Sequence, residues 1–208
     1  MNKLTYINPE ARIGASTQID PFSCIHENVI IGSNCWIGSN VTIFPGARIG
    51  DNVKVFPGAV ISAIPQDLKF KGEKTIVKIG NNVTIRECVT INRGTSYNNE
   101  TIVEDNCLLM AYSHVAHDCI IRRNVIIANG VAIAGHVEID EFSIIGGLAA
   151  IQQFTKIGKN SMISGIRAAP QYAHSQLPSW PGRARSSSRR RPARITSLAD
   201  PYRPQLSC

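Results

Sequence analysis

Aromatic residues make up only 6% of the 208 residues. That is too few for a core of packed Phe and Tyr, so the interior must be aliphatic. Long hydrophobic runs are also missing, and nothing approaches the ~20 apolar residues that span a bilayer. The opening stretch MNKLTYINPEARIG holds no apolar segment of signal-peptide length. A cytoplasmic protein is expected. No CxxC pair occurs, which argues against a zinc ribbon or a redox pair. Six cysteines are present, but Cys35, Cys107 and Cys119 stand at small-residue positions that Ala, Ser, Thr and Val also fill. They behave as small hydrophobes, so reduced thiols are expected. Lysine is absent from residues 166–208, which carry eight arginines against the single acid Asp200. Removing these from the totals of 22 basic and 15 acidic residues leaves 14 of each in residues 1–165. The net charge of +7 therefore belongs to the last segment, and the body is neutral.

What the sequence does have is a repeat. From Ile7 to Ile163 every sixth residue is aliphatic at 24 of 27 positions, the exceptions being Asp67, Glu73 and Tyr97. Four residues after each aliphatic stands a small one, as in Ala11, Thr17, Ser23, Val29, Cys35, Val41 and Ala47. Gly, Asn and Asp crowd the places between, and these types tolerate tight turns. A period of six matches neither an α-helix nor a long strand. It matches short strands joined by sharp corners, each strand putting one large and one small side chain inward. In the hexapeptide-repeat proteins that this pattern resembles, three hexads make one triangular turn, so about 24 hexads imply roughly eight stacked turns and a prism about 38 Å long. Both interruptions keep the phase, so they are predicted to be loops extruded from the prism. The first spans roughly residues 62–77 and the second residues 94–101. Long loops on a rigid scaffold are where function concentrates.

The densest polar cluster is Ser113-His114-Val115-Ala116-His117-Asp118-Cys119. No insertion follows Val103, so residues 18 apart should stack. His117, Gly135 and Gln153 then form one column, and Asp118, His136 and Phe154 the next. This inventory suits acyl transfer to a hydroxyl: an imidazole accepts the proton, a carboxylate steadies it, and a glycine N–H meets the oxyanion. Contact between His117 and Asp118 stays open at this stage, because neighbours in a strand point to opposite faces. A zinc site from His114, His117 and His136 has enough ligands, but His114 stacks over Ala132, away from the other two. Solvated corner residues are the plain alternative.

The hexads resemble the hexapeptide-repeat proteins, whose turns form a left-handed parallel β-helix. The resemblance implies an all-β fold and the hand of the winding. Several longer stretches narrow it: Pro65-Gln66-Asp67-Leu68-Lys69, Glu87 to Thr95, His114 to Cys119, Ala134-Gly135-His136-Val137 and Gln153-Phe154. In this order they resemble the UDP-N-acetylglucosamine O-acyltransferase family of lipid A biosynthesis, over residues 1 to about 165. The related N-acyltransferases carry an extra domain before the repeats, whereas here the repeats begin at Tyr6.

The resemblance implies transfer of a 3-hydroxyacyl chain from acyl carrier protein to the sugar 3-hydroxyl, with His117 as general base, Asp118 orienting it and Gly135 facing the oxyanion. It implies that His114, His136 and Gln153 contact the sugar and acyl chain, that Gln66, Asp67 and Lys69 reach the nucleotide sugar, and that Gly165 governs acyl-chain length. It further implies a homotrimer with sites between subunits, no cofactor, no metal and no nucleic-acid partner. A coenzyme A donor is the runner-up within enzymes.

After Gly165 the phase stops, and the six-step positions become Ala169, Ser175, Pro181, Ser187, Ala193 and Ala199. Two segments are expected: a β-helix acyltransferase domain over 1–165 and an irregular Arg/Pro/Ser-rich tail over 166–208. The tail reads either as a basic arm for nucleic acid or anionic lipid, or as a non-native end. With the family's helical C-terminal segment replaced in this way, an inactive scaffold also stays open.

Overall fold

The computed structural model describes residues 4–166, together with the backbone of two further strands, Ala168–Ala169 and Tyr172–Ala173. Every regular element among these residues is a short strand. The strands form three all-parallel sheets of nine, nine and eight members, and each strand pairs with the one three places along the chain. Tyr6–Ile7 lies against Cys24–Ile25, for example, and His114–Val115 against Ala132–Ile133. The chain thus winds round a triangular prism, one strand per face per turn.

The hexad dictates this winding. In the strands up to Met162–Ile163 the repeating aliphatic faces the core, and Ile25, Ile31, Ile37, Ile43, Ile121, Ile127 and Ile133 are all fully buried. The small residue of the hexad, such as Val29, Val41, Val125 or Val131, fills the rest of the interior. Three residues after most of the aliphatics the backbone turns the corner in the left-handed region. Asn28, Asn34, Asn40, Asn52 and Asn124 sit there with φ between 52° and 59°. Asparagine tolerates that conformation because its short side chain bonds locally. The three sheets bury one continuous aliphatic core, joined at its ends by partly buried Ile7, Ala11, Ile19 and Ile163.

The extruded loops keep the phase because each adds whole hexads. Partners on successive turns are 18 residues apart in the pair Val115 and Ile133. They are 30 apart in Ile61 and Ile91, and 24 apart in Ile91 and Val115. The first loop thus inserts two hexads, which contain Asp67 and Glu73, and the second inserts one, which contains Tyr97. The base of the first loop is pinned where the Asn92 side-chain amide donates to the Ile64 carbonyl at 3.1 Å. The Arg93 amide donates to Ala63 at 3.0 Å.

Ala168–Ala169 pairs with Ala150–Ile151 at the usual 18-residue offset, but Tyr172–Ala173 pairs with Lys156–Ile157 at 16. The rest of the basic tail lies outside the described residues. Among the described residues the thiols stand free. Burial pushes Cys107 up to about 11 and Cys119 up to about 12, so both stay protonated packing groups. No helix among the described residues is long and apolar enough to cross a membrane.

Candidate active site

The site grows from one prism corner. Asp118, His136 and Phe154 occupy the left-handed corner position of three successive turns, with φ of 58°, 61° and 63°. Elsewhere asparagine often fills this place, so a ring or a carboxylate here trades turn comfort for side-chain placement. The left-handed backbone at Asp118 also decides the contact that strand alternation left open. It swings the carboxylate back onto its neighbour, and His117 Nδ1 lies 2.8 Å from Asp118 Oδ2. Both residues are buried, at 6% and 1% exposure.

The second loop clasps the same carboxylate. Oδ1 accepts the amides of Thr95 at 3.0 Å and Asn98 at 3.1 Å, and Oδ2 accepts the Thr95 hydroxyl at 2.6 Å. The Asp118 amide donates to the Thr101 hydroxyl at 2.9 Å. Burial opposes ionisation of Asp118. Hydrogen bonds from Thr95, His117 and Asn98 outweigh it and hold the carboxyl below its ordinary value. An ionised carboxylate only accepts, so the proton of the shared bond belongs to His117 Nδ1. Nε2 is then the basic nitrogen.

Gly135 stacks beneath His117 as the 18-residue column requires. A Cβ there would lie 2.5 Å from His117 Cε1 and 2.7 Å from Nε2, so the imidazole occupies the space a side chain would need. Among the described residues the Gly135 amide donates to no backbone carbonyl. His136 is packed by rings: Phe154 stacks on it at 4.5 Å, Tyr97 meets it edge-on at 4.6 Å, and His117 at 4.9 Å. Its Nδ1 is buried without a partner and lies 3.8 Å from Asp118 Oδ2. Burial pushes the His136 pKa down, against the pull of Asp118. His114, on the strand before the corner, shares a 2.7 Å hydrogen bond with the Thr90 hydroxyl. Burial first, and His117 second, push its pKa down as well.

Asp67 and Lys69 of the first loop join Thr95, Tyr97, His136 and Phe154 around one cleft of about 550 Å³. Gln66 is exposed and does not line that cleft. Gln153 is exposed one turn beyond Gly135. Gly165 lies at a different corner, beside Gly147 and Leu148, on an apolar cleft of about 720 Å³. Thr95, Asn98 and Thr101 were not singled out by the repeat analysis. Asn98 and Thr101 were marked only by the phase break before Val103, and Thr95 also by closing the family-like stretch that begins at Glu87.

His117, Asp118 and His136 are also close enough to hold a metal ion, their ligand atoms lying within 4.8 Å of one another. A carboxylate offers about four lone-pair directions. Here four donors take them: the Thr95 amide, the Asn98 amide, the Thr95 hydroxyl and His117 Nδ1. The bonding suits an oriented acid–base pair, not a cation ligand.

The sequence matches the family described as bacterial transferase hexapeptide (six repeats) over residues 10–45 and 100–135. It also matches the hexapeptide repeat of succinyl-transferase over residues 28–63. A Campylobacter concisus acyl-[acyl-carrier-protein]–UDP-N-acetylglucosamine O-acyltransferase is 40% identical over 173 residues, covering 82% of this chain and 66% of that protein. The corresponding Synechocystis protein is 51% identical over 107 residues, covering 51% of this chain and 39% of its own length. The chain thus spans less than two thirds of the length of these two curated relatives. Among solved structures, the UDP-N-acetylglucosamine acyltransferase of Bacteroides fragilis is 45% identical, with a TM-score of 0.67. That match covers 78% of this chain and 68% of that one. The Campylobacter jejuni enzyme is 39% identical with a TM-score of 0.79, covering 82% and 67%. By sequence and by its left-handed parallel β-helix, this chain belongs to the UDP-N-acetylglucosamine O-acyltransferase family of hexapeptide-repeat proteins.

Proposed function

We propose that this chain transfers a 3-hydroxyacyl group from acyl carrier protein to the 3-hydroxyl of UDP-N-acetylglucosamine, the first step of lipid A biosynthesis. The observation that carries the reading is a buried His117 whose Nδ1 is tied to Asp118, which leaves Nε2 as the nitrogen to take a proton, and whose ring packs against the His136 that lines the cleft. The names of the relatives supply the substrates.

In this reading Nε2 of His117 removes the hydroxyl proton as the sugar oxygen attacks the thioester carbonyl. Asp118 steadies the imidazolium, and the Gly135 N–H meets the tetrahedral oxyanion. Collapse breaks the C–S bond, and the departing thiolate of the carrier protein takes the proton back from His117. No cofactor or metal enters these steps. Asp67 and Lys69, with Gln66, reach the nucleotide sugar, while His114, His136 and Gln153 contact sugar and acyl chain. Gly165, without a side chain, leaves room for a longer acyl chain. The working form is a cytoplasmic homotrimer with sites between subunits. Residues 1–165 act as the acyltransferase domain, the basic tail 166–208 takes no part in the chemistry, and nucleic acid is not a partner.

The test is acyl transfer by the purified chain, with acyl carrier protein and coenzyme A thioesters offered side by side. Parent turnover is expected with the carrier-protein donor. His117→Ala should lower kcat/KM by about 10²–10⁴-fold with the fold intact. Turnover near that of the parent refutes the base, and a preference for coenzyme A refutes the donor.

A further inference from the structure

Asp118 has two histidines within reach of one oxygen. Its Oδ2 lies 2.8 Å from His117 Nδ1 and 3.8 Å from His136 Nδ1. The second nitrogen is buried and has no partner. A buried imidazole nitrogen gains by finding a carboxylate, so His136 competes for the same oxygen. It is also held close to the contest, since Phe154, Tyr97 and His117 pack against its ring. A small rotation of the carboxylate would change its partner.

We propose that Thr95 is a positioning residue that decides which histidine Asp118 serves, clamping the carboxylate onto His117 and away from His136. Two donors from this one residue reach both oxygens, the amide on Oδ1 at 3.0 Å and the hydroxyl on Oδ2 at 2.6 Å. Together they fix the plane of the carboxylate, a role that one bond to either oxygen would not fill. The hydroxyl is itself oriented, because its oxygen accepts the Tyr97 amide at 3.2 Å and its hydrogen is thereby directed at Asp118. It also takes the lone-pair direction on Oδ2 that His117 leaves free. With it gone, Oδ2 regains an acceptor site, and His136 Nδ1 is the unpartnered group nearest to it. The consequence for His117 is chemical: sharing Oδ2 with a second imidazole on a carboxylate no longer held in plane weakens the bond that keeps its proton on Nδ1 and its lone pair on Nε2. The effect on turnover rests on His117 as the base, whereas the effect on its tautomer does not.

The experiment compares full-length Thr95→Val and Thr95→Ser with the parent, using nitrogen-15 NMR of labelled histidines. Valine keeps the shape and the amide but removes the hydroxyl, and serine restores it. In the parent and in Thr95→Ser, His117 should show a protonated Nδ1 in a hydrogen bond and an unprotonated Nε2. In Thr95→Val that signature should weaken, and a protonated Nδ1 should appear on His136. Adding His136→Phe to Thr95→Val removes the competitor and should return the parent pattern at His117. Where the parent turns over, Thr95→Val should lower kcat by about 10- to 100-fold with KM little changed, because it misplaces the base and leaves the cleft intact. The proposal is overturned if Thr95→Val keeps the parent tautomer at His117, if Thr95→Ser behaves like Thr95→Val, or if the double variant does not recover. An absence of acyl transfer by the parent would refute the proposed activity, while the tautomer result still decides the role of Thr95.

Discussion

Replacing Gly135 with alanine tests the stacked column through a single methyl group. Gly135 is outside the left-handed φ region, so alanine meets no backbone strain there. The added Cβ, however, would stand 2.5 Å from His117 Cε1, 2.7 Å from Nε2 and 3.1 Å from Nδ1. Ordinary carbon contacts settle at about 3.5–4.0 Å, so the ring has to retreat by about 1 Å. The Asp118 carboxylate cannot follow, because the second loop holds both of its oxygens. The His117–Asp118 distance of 2.8 Å would then open to about 3.8 Å, beyond hydrogen-bond range.

A displacement of about 1 Å costs roughly 10²-fold in rate, and loss of tautomer control up to about 10⁴-fold. We therefore expect kcat to fall by about 10²–10⁴-fold. Overpacking should cost only about 1–3 kcal/mol of stability, so the protein stays folded. The alanine amide still donates, so the loss is not that of an oxyanion donor. Steady-state acyl transfer alongside a thermal melt reads both quantities. An alanine variant that is folded and turns over like the parent would refute the stacking of imidazole on glycine.

Two further outcomes follow from burial. The His114 and His136 pKa values are both pushed below the ordinary histidine value in the fold. As pH falls below about 6.5 the unfolded chain therefore takes up these protons first, and stability present above that pH is lost below it. The melting temperature should drop between about pH 7.5 and 5.5, and His114→Gln should flatten the slope; an identical slope in that variant would contradict the assignment. In the core, Ile133 is fully buried between Val115 and Ile151 on the turns either side. Ile133→Ala should cost about 2–5 kcal/mol, read as a lower urea midpoint at unchanged slope, and a loss well under 1 kcal/mol would mean that the prism closes over the cavity.

The two extruded loops illustrate how phase and geometry divide the information. Their existence and length class were legible, because inserting whole hexads breaks the aliphatic series only at Asp67, Glu73 and Tyr97. Their destination was not. The first loop brings Asp67 and Lys69 to the cleft beside His136, and the second delivers Thr95 and Asn98 onto Asp118. Neither loop has a period from which such a placement can be read. Gln66, the neighbour of Asp67, is exposed and does not line that cleft.

By itself, the sequence determined the six-residue strand-and-corner unit, the stacking of His117, Gly135 and Gln153, and the aliphatic interior. Each of these depends only on the repeat and on which side chains can be buried. Tertiary structure decided the acid–base geometry. Strand alternation sets neighbouring side chains on opposite faces, and only the left-handed corner at Asp118, with φ of 58°, turns its carboxylate onto His117. It likewise decided that Asp118 is saturated by a loop from 20 or more residues away and that His136 keeps an unpartnered nitrogen beside it. Backbone dihedrals and loop landings of this kind come from packing the whole chain, and no local pattern of residues records them.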